Sequence, residues 1–380
     1  MKLSETHAGL QTLVRKFSES EIRPIAEELD RDEVFPRELY LRMGKLGLFG
    51  ICVPESLGGP GLDTLAYAVV MEELSRGCAS VADQCGLIEL IATLLVKHGT
   101  PQQLARLGDV MTARTLVAYC ITEPEAGTDV SQIRTTASRD GDGWRLNGGK
   151  IWIHNAPIAD LAFVLAVTDK NAGHRGMSIF IVDLHSDGVS RGQKERKMGQ
   201  RASQVGALDF DNVHLPANAL LGMEGRGFHM MMSVLDKGRV GIASLAVGIA
   251  QAGLEAAVDY AQTRKQFNRP IAEFQGVQWL LADMAKDIQA ARLLVADAAV
   301  KLDDGHDATM ACSMAKCFAG DMAVARTSDA VQVFGGSGYI RGFEVERLYR
   351  DAKICQIYEG TNQIQRMIIS RELLKNGAMT

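Results

Sequence analysis

Aromatic residues make up only 6% of this 380-residue chain, and no internal repeat or low-complexity tract interrupts it. Repeat arrays and disordered linkers are therefore excluded. The 7 cysteines form no C-x-x-C pair and no His/Cys cluster at zinc spacing. That pattern argues against a structural zinc or other metal site and fits reduced thiols in a reducing compartment. Neither sign of charge dominates: 41 basic residues face 46 acidic ones, for a net charge of −5. Nothing there marks nucleic acid or an anionic membrane as the partner. No uncharged apolar run reaches the roughly 18 residues of a membrane span. The opening MKLSETHAGLQTLVRKF lacks the apolar core of a signal peptide and meets acids too soon for a transit peptide. The expectation is a soluble cytoplasmic protein, or one of the mitochondrial matrix if a transit peptide has been removed.

What is present is ordinary for a globular protein, 47% hydrophobic and 23% charged. The length exceeds what one core usually fills, so two or three packed units are expected. Residues 1–115 show helical spacing, with Leu10, Leu13, Val14, Phe17 and Ile22 on one face. A Pro/Gly-rich turn, VPESLGGPGLD, separates two further helices. Over 116–227 the texture becomes short β-branched and aromatic runs such as LAFVLAVTD and MSIFIVD, divided by DG, NG and SDG signals. These predict an antiparallel β domain. Residues 228–380 return to helix, in long elements rich in Ala, Gly and Ser. The order is α, β, α.

Several polar stretches fall at the borders of the β domain, where ligand sites concentrate. YCITEPEAGTD (119–129) can offer backbone N–H groups and the hydroxyls of Thr122 and Thr128 to an anion or a carbonyl-rich ring. A capped turn explains the stretch equally well. In KIWIHN (150–155) a period of two places Trp152 and His154 on one face, suited to stacking beside a flat heteroaromatic ring, although a lone histidine is commonly structural. TRKQFNRPIAEFQ (263–275) gathers Arg264, Lys265 and Arg269 for phosphates and Gln266 or Gln275 for base edges; a solvated basic helix end reads the same way. QVFGGSGY (332–339) permits close backbone approach but is not a G-x-G-x-x-G after a strand. Last, CQIYEGTNQIQR (355–366) sets one carboxylate, Glu359, among amides and a hydroxyl. A tight turn would read as acid, glycine and threonine too.

Taken together and in this order, VPESLGGPGLD, CITEPEAGTD, GGKIWIHNA, KMGQRAS, LDKGRVGIASLAVGIAQ, RKQFNRPIAEFQGVQ, QVFGGSGY and YRDAKICQIYEGTNQIQR resemble the acyl-CoA dehydrogenase family over essentially the whole chain. The resemblance implies an α+β fold: an N-terminal helical domain, a middle antiparallel β domain and a C-terminal four-helix bundle. It implies FAD as cofactor, an acyl-CoA substrate, an electron-transfer flavoprotein as acceptor and a homotetramer built as a dimer of dimers. By resemblance, Tyr119, Ile121, Thr122, Gly127 and Thr128 hold the flavin ring, with Trp152, Ile153 and His154 beside it. Arg264, Gln266, Phe267, Phe274 and Gln275 reach the FAD of a neighbouring subunit, as do Gln332, Val333, Gly335 and Gly336. Thr361 and Gln363 complete that site. Thr128, Asp236, Arg239 and Gly360 touch the acyl-CoA. Glu359 becomes the base that removes an α proton while a β hydride leaves for the flavin.

One subgroup of the family carries its base early in the long helix. The matching position is Gly238, which has no side chain to serve, so Glu359 and the short-, medium- or branched-chain arrangement are favoured. The chain departs from the family where His154 stands for a usual Thr or Ser, and where Asn268 stands for a usual Gly. In ASVADQCGLIELIATLLVKHG (79–99), a region that commonly lines the acyl tail, Asp83 and Glu89 are expected as solvent-facing or capping acids; if either faces the pocket, a polar, cyclic or branched acyl group is implied instead of a plain fatty chain. Three rivals share the fold: an oxidase, a decarboxylating dehydrogenase with a cation at the pocket's end, and a catalytically silent binding subunit. The acyl group itself is not legible.

Overall fold

The computed structural model describes residues 3–377; the outermost residues of the ranges 1–115 and 228–380 lie outside them. Helices come first: α1 (Glu5–Phe17), α2 (Ala26–Asp32), α3 (Arg37–Lys45), α4 (Thr64–Gly77), α5 (Ala79–His98), α6 (Pro101–Leu104) and α7 (Leu107–Met111). Their starts follow local chemistry. Ser4 accepts from the His7 N–H at the head of α1, and Asp63 accepts from the Ala66 N–H, at 2.7 Å, at the head of α4. The turn before α4 needs glycine: a Cβ on Gly59 would stand 2.2 Å from the Val53 carbonyl oxygen.

The strands are β1 (Val117–Cys120), β2 (Thr136–Asp140), β3 (Gly143–His154), β4 (Leu161–Val167), β5 (Met177–Asp183), β6 (Val189–Arg191), β7 (Val205–Leu215) and β8 (Leu220–Leu221). They form one sheet in the order β6-β7-β3-β2-β4-β5-β8, with β1 beside β4. Pairing is antiparallel except that β1 runs parallel to β4 and a single β2–β4 link is parallel. The uniformly antiparallel expectation is corrected there. The chain leaves β1, makes the whole β2–β3 hairpin, and returns along β4 in the direction in which β1 ran.

Two cores explain why β4 and β5 read as unbroken apolar runs. Phe163, Leu165, Ile179 and Ile181 face the helices. Val164, Ala166, Phe180 and Val182 face the interior of the β domain, where Trp144 meets Phe180 edge-on at 5.0 Å. A strand buried on both sides loses its polar alternation.

After the sheet come α8 (Gly227–Thr263), a hairpin of β9 (Lys265–Gln266) and β10 (Arg269–Pro270), then α9 (Gln275–Asp303), α10 (Thr309–Phe334), α11 (Gly336–Tyr339), α12 (Glu344–Ala352) and α13 (Asn362–Asn376). Helices α8, α9, α10 and α13 pack as a bundle, and α8 also lies along α4 and α5. The first and last helices therefore share one core, from Val14 to Cys355. Small residues allow this closeness: a Cβ on Gly248 would reach within 2.2 Å of the Glu72 carbonyl oxygen. Helices α5 and α8 are long and apolar enough to cross a membrane, yet 78% of the most apolar window of each is buried inside the protein. Among the described residues all 7 cysteines are free thiols, and only Cys52 is less than fully buried.

One buried ion pair fixes the loop after β1. Lys150 is fully buried on β3, donating to the Ile121 carbonyl at 2.9 Å and to Glu123 Oε1 at 2.7 Å. Glu123 also accepts from the backbone N–H groups of Arg134 and Thr135. Replacing Lys150 by Met strands that carboxylate, so Lys150→Met is expected to lower stability by roughly 3–5 kcal/mol. Chemical denaturation read by tryptophan fluorescence checks this. A midpoint equal to that of the unaltered protein would refute the structural role.

Candidate active site

Glu359 sits in a tight turn between α12 and α13, as the plain turn reading has it, but the turn is unusual. Both Glu359 (φ 56°) and Gly360 (φ 85°) are left-handed. Glycine adopts that region freely, whereas a glutamate there is strained by about 1–3 kcal/mol. Thr361 then caps α13 by accepting from the Ile364 N–H at 3.3 Å. The strain is held from below. Lys316, fully buried on α10, donates to the Gly360 carbonyl at 2.7 Å and to Asn362 Oδ1 at 3.0 Å. Gln365 on α13 donates to the carbonyls of Glu359 and Gly360 at 3.1 and 3.0 Å.

The turn aims the Glu359 side chain inward. Its Oε2 is buried and has no hydrogen-bond partner among the described residues. Opposite it is α8: a Cβ on Gly238 would lie 3.1 Å from Oε2, so that glycine makes room for the carboxylate. Burial pushes the Glu359 carboxyl up to about 7, against the pull of Arg239 and Lys316, with Asp83 adding to the rise. Arg239 is itself buried and held by Asp236, Nη1 to Oδ1 at 2.6 Å; Asp236 also accepts from Thr309 at 3.0 Å. Burial pushes Lys316 down to about 8.

Asp83 and Glu89 are not solvent-facing. Both point inward from α5. Glu89, 1% exposed, accepts from the Cys52 N–H at 3.2 Å and faces Lys237 at 3.6 Å. Asp83 accepts from Ser203 at 3.0 Å and lies 3.2 Å from His154 Nδ1. The next residue repeats the clasp, with Asn155 donating to Gln84 Oε1 at 2.9 Å. The segment 83–84 thus grips the end of β3, a long-range pairing that helical spacing does not reveal. Burial pushes His154 below the usual imidazole range, although Asp83 pulls the other way. It is neutral at pH 7.

Around this centre lie the residues of 119–128. The Tyr119 hydroxyl donates to the Met231 carbonyl on α8 at 3.2 Å. The Ile121 and Thr122 carbonyls are tied to Lys150 and to the Ile151 N–H, and Gly127 and Thr128 are exposed. Trp152 departs from the plain period of two: β3 bulges between Lys150 and Ile153, and Trp152, left-handed at φ 55°, is 63% exposed. The Ile153 side chain is buried in the β-domain core, so only its main chain is free for a ligand.

The remaining candidates lie elsewhere. The α8 segment from Arg239 to its end at Thr263, just before Arg264, is about 36 Å long at helical rise. Arg264, Gln266 and Phe267 are exposed on the β9–β10 hairpin. Its two turn residues, Phe267 and Asn268, are both left-handed, and asparagine tolerates the position where the family usually has glycine. Phe274 packs edge-on to Phe267 and under the Arg269 guanidinium, with Gln275 opening α9. Tyr260 at the same end stacks on Phe334, next to exposed Gln332, buried Val333 and exposed Gly335 and Gly336. Gln363 is exposed on α13. All of these except Gln363, which follows Glu359 by four residues, assemble at the far end of α8, apart from Arg239.

Sequence reasoning missed Lys316, Gln365 and Tyr67. Lys316 had a signal: it is the one charge in the small, apolar run ACSMAKCFAG, and a buried lone cation requires partners.

Three family models match in order: the acyl-CoA dehydrogenase N-terminal domain over residues 4–113, the middle domain over 118–213 and the C-terminal domain over 225–374. A 3-(aryl)acrylate reductase of Clostridium sporogenes is 43% identical, covering 99% of this chain and 100% of its own. The butyryl-CoA dehydrogenase of Megasphaera elsdenii superposes with a TM-score of 0.95 at 40% identity, over 98% of this chain and 99% of its own. A chain solved in work on the electron-transferring flavoprotein of Acidaminococcus fermentans superposes with a TM-score of 0.96 at 43% identity, over 99% of each. With the three domain models matched in sequence across nearly its whole length, the chain belongs to the acyl-CoA dehydrogenase family.

Proposed function

We propose that the protein dehydrogenates an acyl-CoA thioester between its α and β carbons, with Glu359 as the base. The observation that carries this is the Glu359 carboxylate itself: its Oε2 buried and without a partner among the described residues, and its pKa raised to about 7. A base for a weakly acidic α proton works best with its pKa near the working pH. The carboxylate takes that proton, the β carbon gives up a hydride, and the C=C bond forms from the electrons of the broken α C–H bond. FAD supplies the hydride acceptor, and an electron-transfer flavoprotein then takes the electrons.

Residues of this chain fit FAD. The exposed Trp152 ring offers a flat face, and the exposed loop of Gly127 and Thr128 and the His154 imidazole offer polar groups. Arg264, Gln266 and Gln332 to Gly336 lie too far along α8 to serve the same centre. They suit the FAD of a second copy, which supports a homotetramer. Arg239 and Asp236, beside the carboxylate, suit the CoA side of the thioester. Seven free cysteines support a reducing compartment such as the cytoplasm. A decarboxylating enzyme is disfavoured because Lys237, next to Gly238 in the chain, already faces Glu89. A silent binding subunit has no use for a strained, braced carboxylate.

Glu359→Gln is expected to keep bound flavin and lose at least about a hundredfold in turnover. Retained dehydrogenation would remove Glu359 as the base. In the unaltered enzyme kcat/KM is expected to rise with pH and level off above about 7, because only the ionised carboxylate accepts a proton. Lys316→Met removes a cation that holds Glu359 down, so this limb should move to higher pH. A pH profile over the range 5.5–9 (about one unit or more on each side of 7) reads both; an unmoved limb in the variant would show that Lys316 does not act on the base.

A further inference from the structure

Helices α4, α5 and α8 converge beside the base. Gly238 and Gly241 are three residues apart on α8, hence on one side of it. Glu359 occupies the space over Gly238. Tyr67 of α4 occupies the space over Gly241, its hydroxyl oxygen 2.1 Å from where a Cβ would stand. The same hydroxyl is 3.6 Å from the Cβ position of Gly86 on α5, with Met71 Cε at 3.3 Å from that position. Leu90 Cδ1 closes the α5 side, 3.5 Å from the Cβ position of Gly238. Tyr67 is thus a wedge between two helices at the places where each has a glycine. It is 1% exposed, so the ring fills that space with its full volume.

We propose that Tyr67 is the floor of the acyl site and sets the chain length, making the substrate a short straight-chain acyl thioester. The inference rests on Glu359 being the base. Three residues of helical rise, about 4.5 Å, separate the levels of Gly238 and Gly241 along α8. The reacting α and β carbons must lie at the level of Glu359, so the tail meets the tyrosine within one helical turn. Longer tails have to displace a large side chain that α4 wedges against α5 and α8. Neither glycine can yield: both are already at the backbone limit.

The test uses the flavin-loaded enzyme with butyryl-, hexanoyl- and octanoyl-CoA. Flavin bleaching gives binding and the first turnover, and steady-state assays give kcat and KM separately. The unaltered enzyme is expected to prefer butyryl- over octanoyl-CoA. Tyr67→Ala is expected to raise the octanoyl-to-butyryl ratio of kcat/KM by at least about tenfold, chiefly through KM, since each accommodated methylene discriminates by roughly tenfold or more. Tyr67→Phe, which keeps the ring and the fold, should move the hexanoyl-to-butyryl ratio the same way by a smaller factor. Unchanged ratios in flavin-loaded variants that butyryl-CoA still bleaches would overturn the wedge alone. An unaltered enzyme that turns over octanoyl-CoA as well as butyryl-CoA would overturn it also. No bleaching of the unaltered enzyme by any chain would overturn the proposed reaction, and the wedge with it.

Discussion

A carboxylate kept out of water without a partner for one of its oxygens is the constraint on which the rest of this molecule depends. Left alone, such a group would turn outward, because burying a charge without compensation is unfavourable by several kcal/mol. Here the backbone itself is bent to prevent that. Left-handed Glu359 and Gly360 direct the side chain inward, and Lys316 and Gln365 hold the carbonyls of the bend. Gly238 provides the opposing space, and two cations at a remove, Arg239 and Lys316, keep the carboxylate ionisable. The braces come from three helices, α8, α10 and α13, so the bundle must close before the carboxylate is in place.

The α-β-α order and the family were legible from residue texture and motif order. What escaped was whatever depends on two distant segments meeting. Asp83 and Glu89 occur in an apolar helix with nothing in their neighbourhood to pair with, and in isolation such acids belong in solvent. Their partners, His154, Ser203, Cys52 and Lys237, come from other parts of the chain. Trp152 escaped for another reason: a bulge in β3 breaks the period of two on which its placement relied. The parallel β1–β4 pair has no local signature, since parallel pairing is set by the path of the chain between strands. Tyr67 carries no motif, and its position is visible only through the two glycines it covers.

The length of α8 divides the labour of the chain. One end faces the Glu359 carboxylate through Gly238 and Arg239; the other carries the exposed hairpin and stacks Tyr260 on Phe334. A rigid rod of that length cannot bend its two ends to one ligand. The same helix also joins the first helices to the last through a single core. The candidate site, the exposed hairpin and the shared core therefore lie along successive stretches of one element, and its small residues allow the close packing this needs.

The thiols have a consequence of their own. Burial pushes all seven above the ordinary thiol range, with Cys120, Cys312 and Cys355 each at about 12. Oxidants attack the thiolate rather than the thiol, and at neutral pH almost none exists here. A reduced flavin that leaks electrons to oxygen makes peroxide at the protein's own centre. This chain offers that peroxide almost no thiolate to attack; what oxidisable sulfur it exposes is thioether, at Met198, Met223 and Met367.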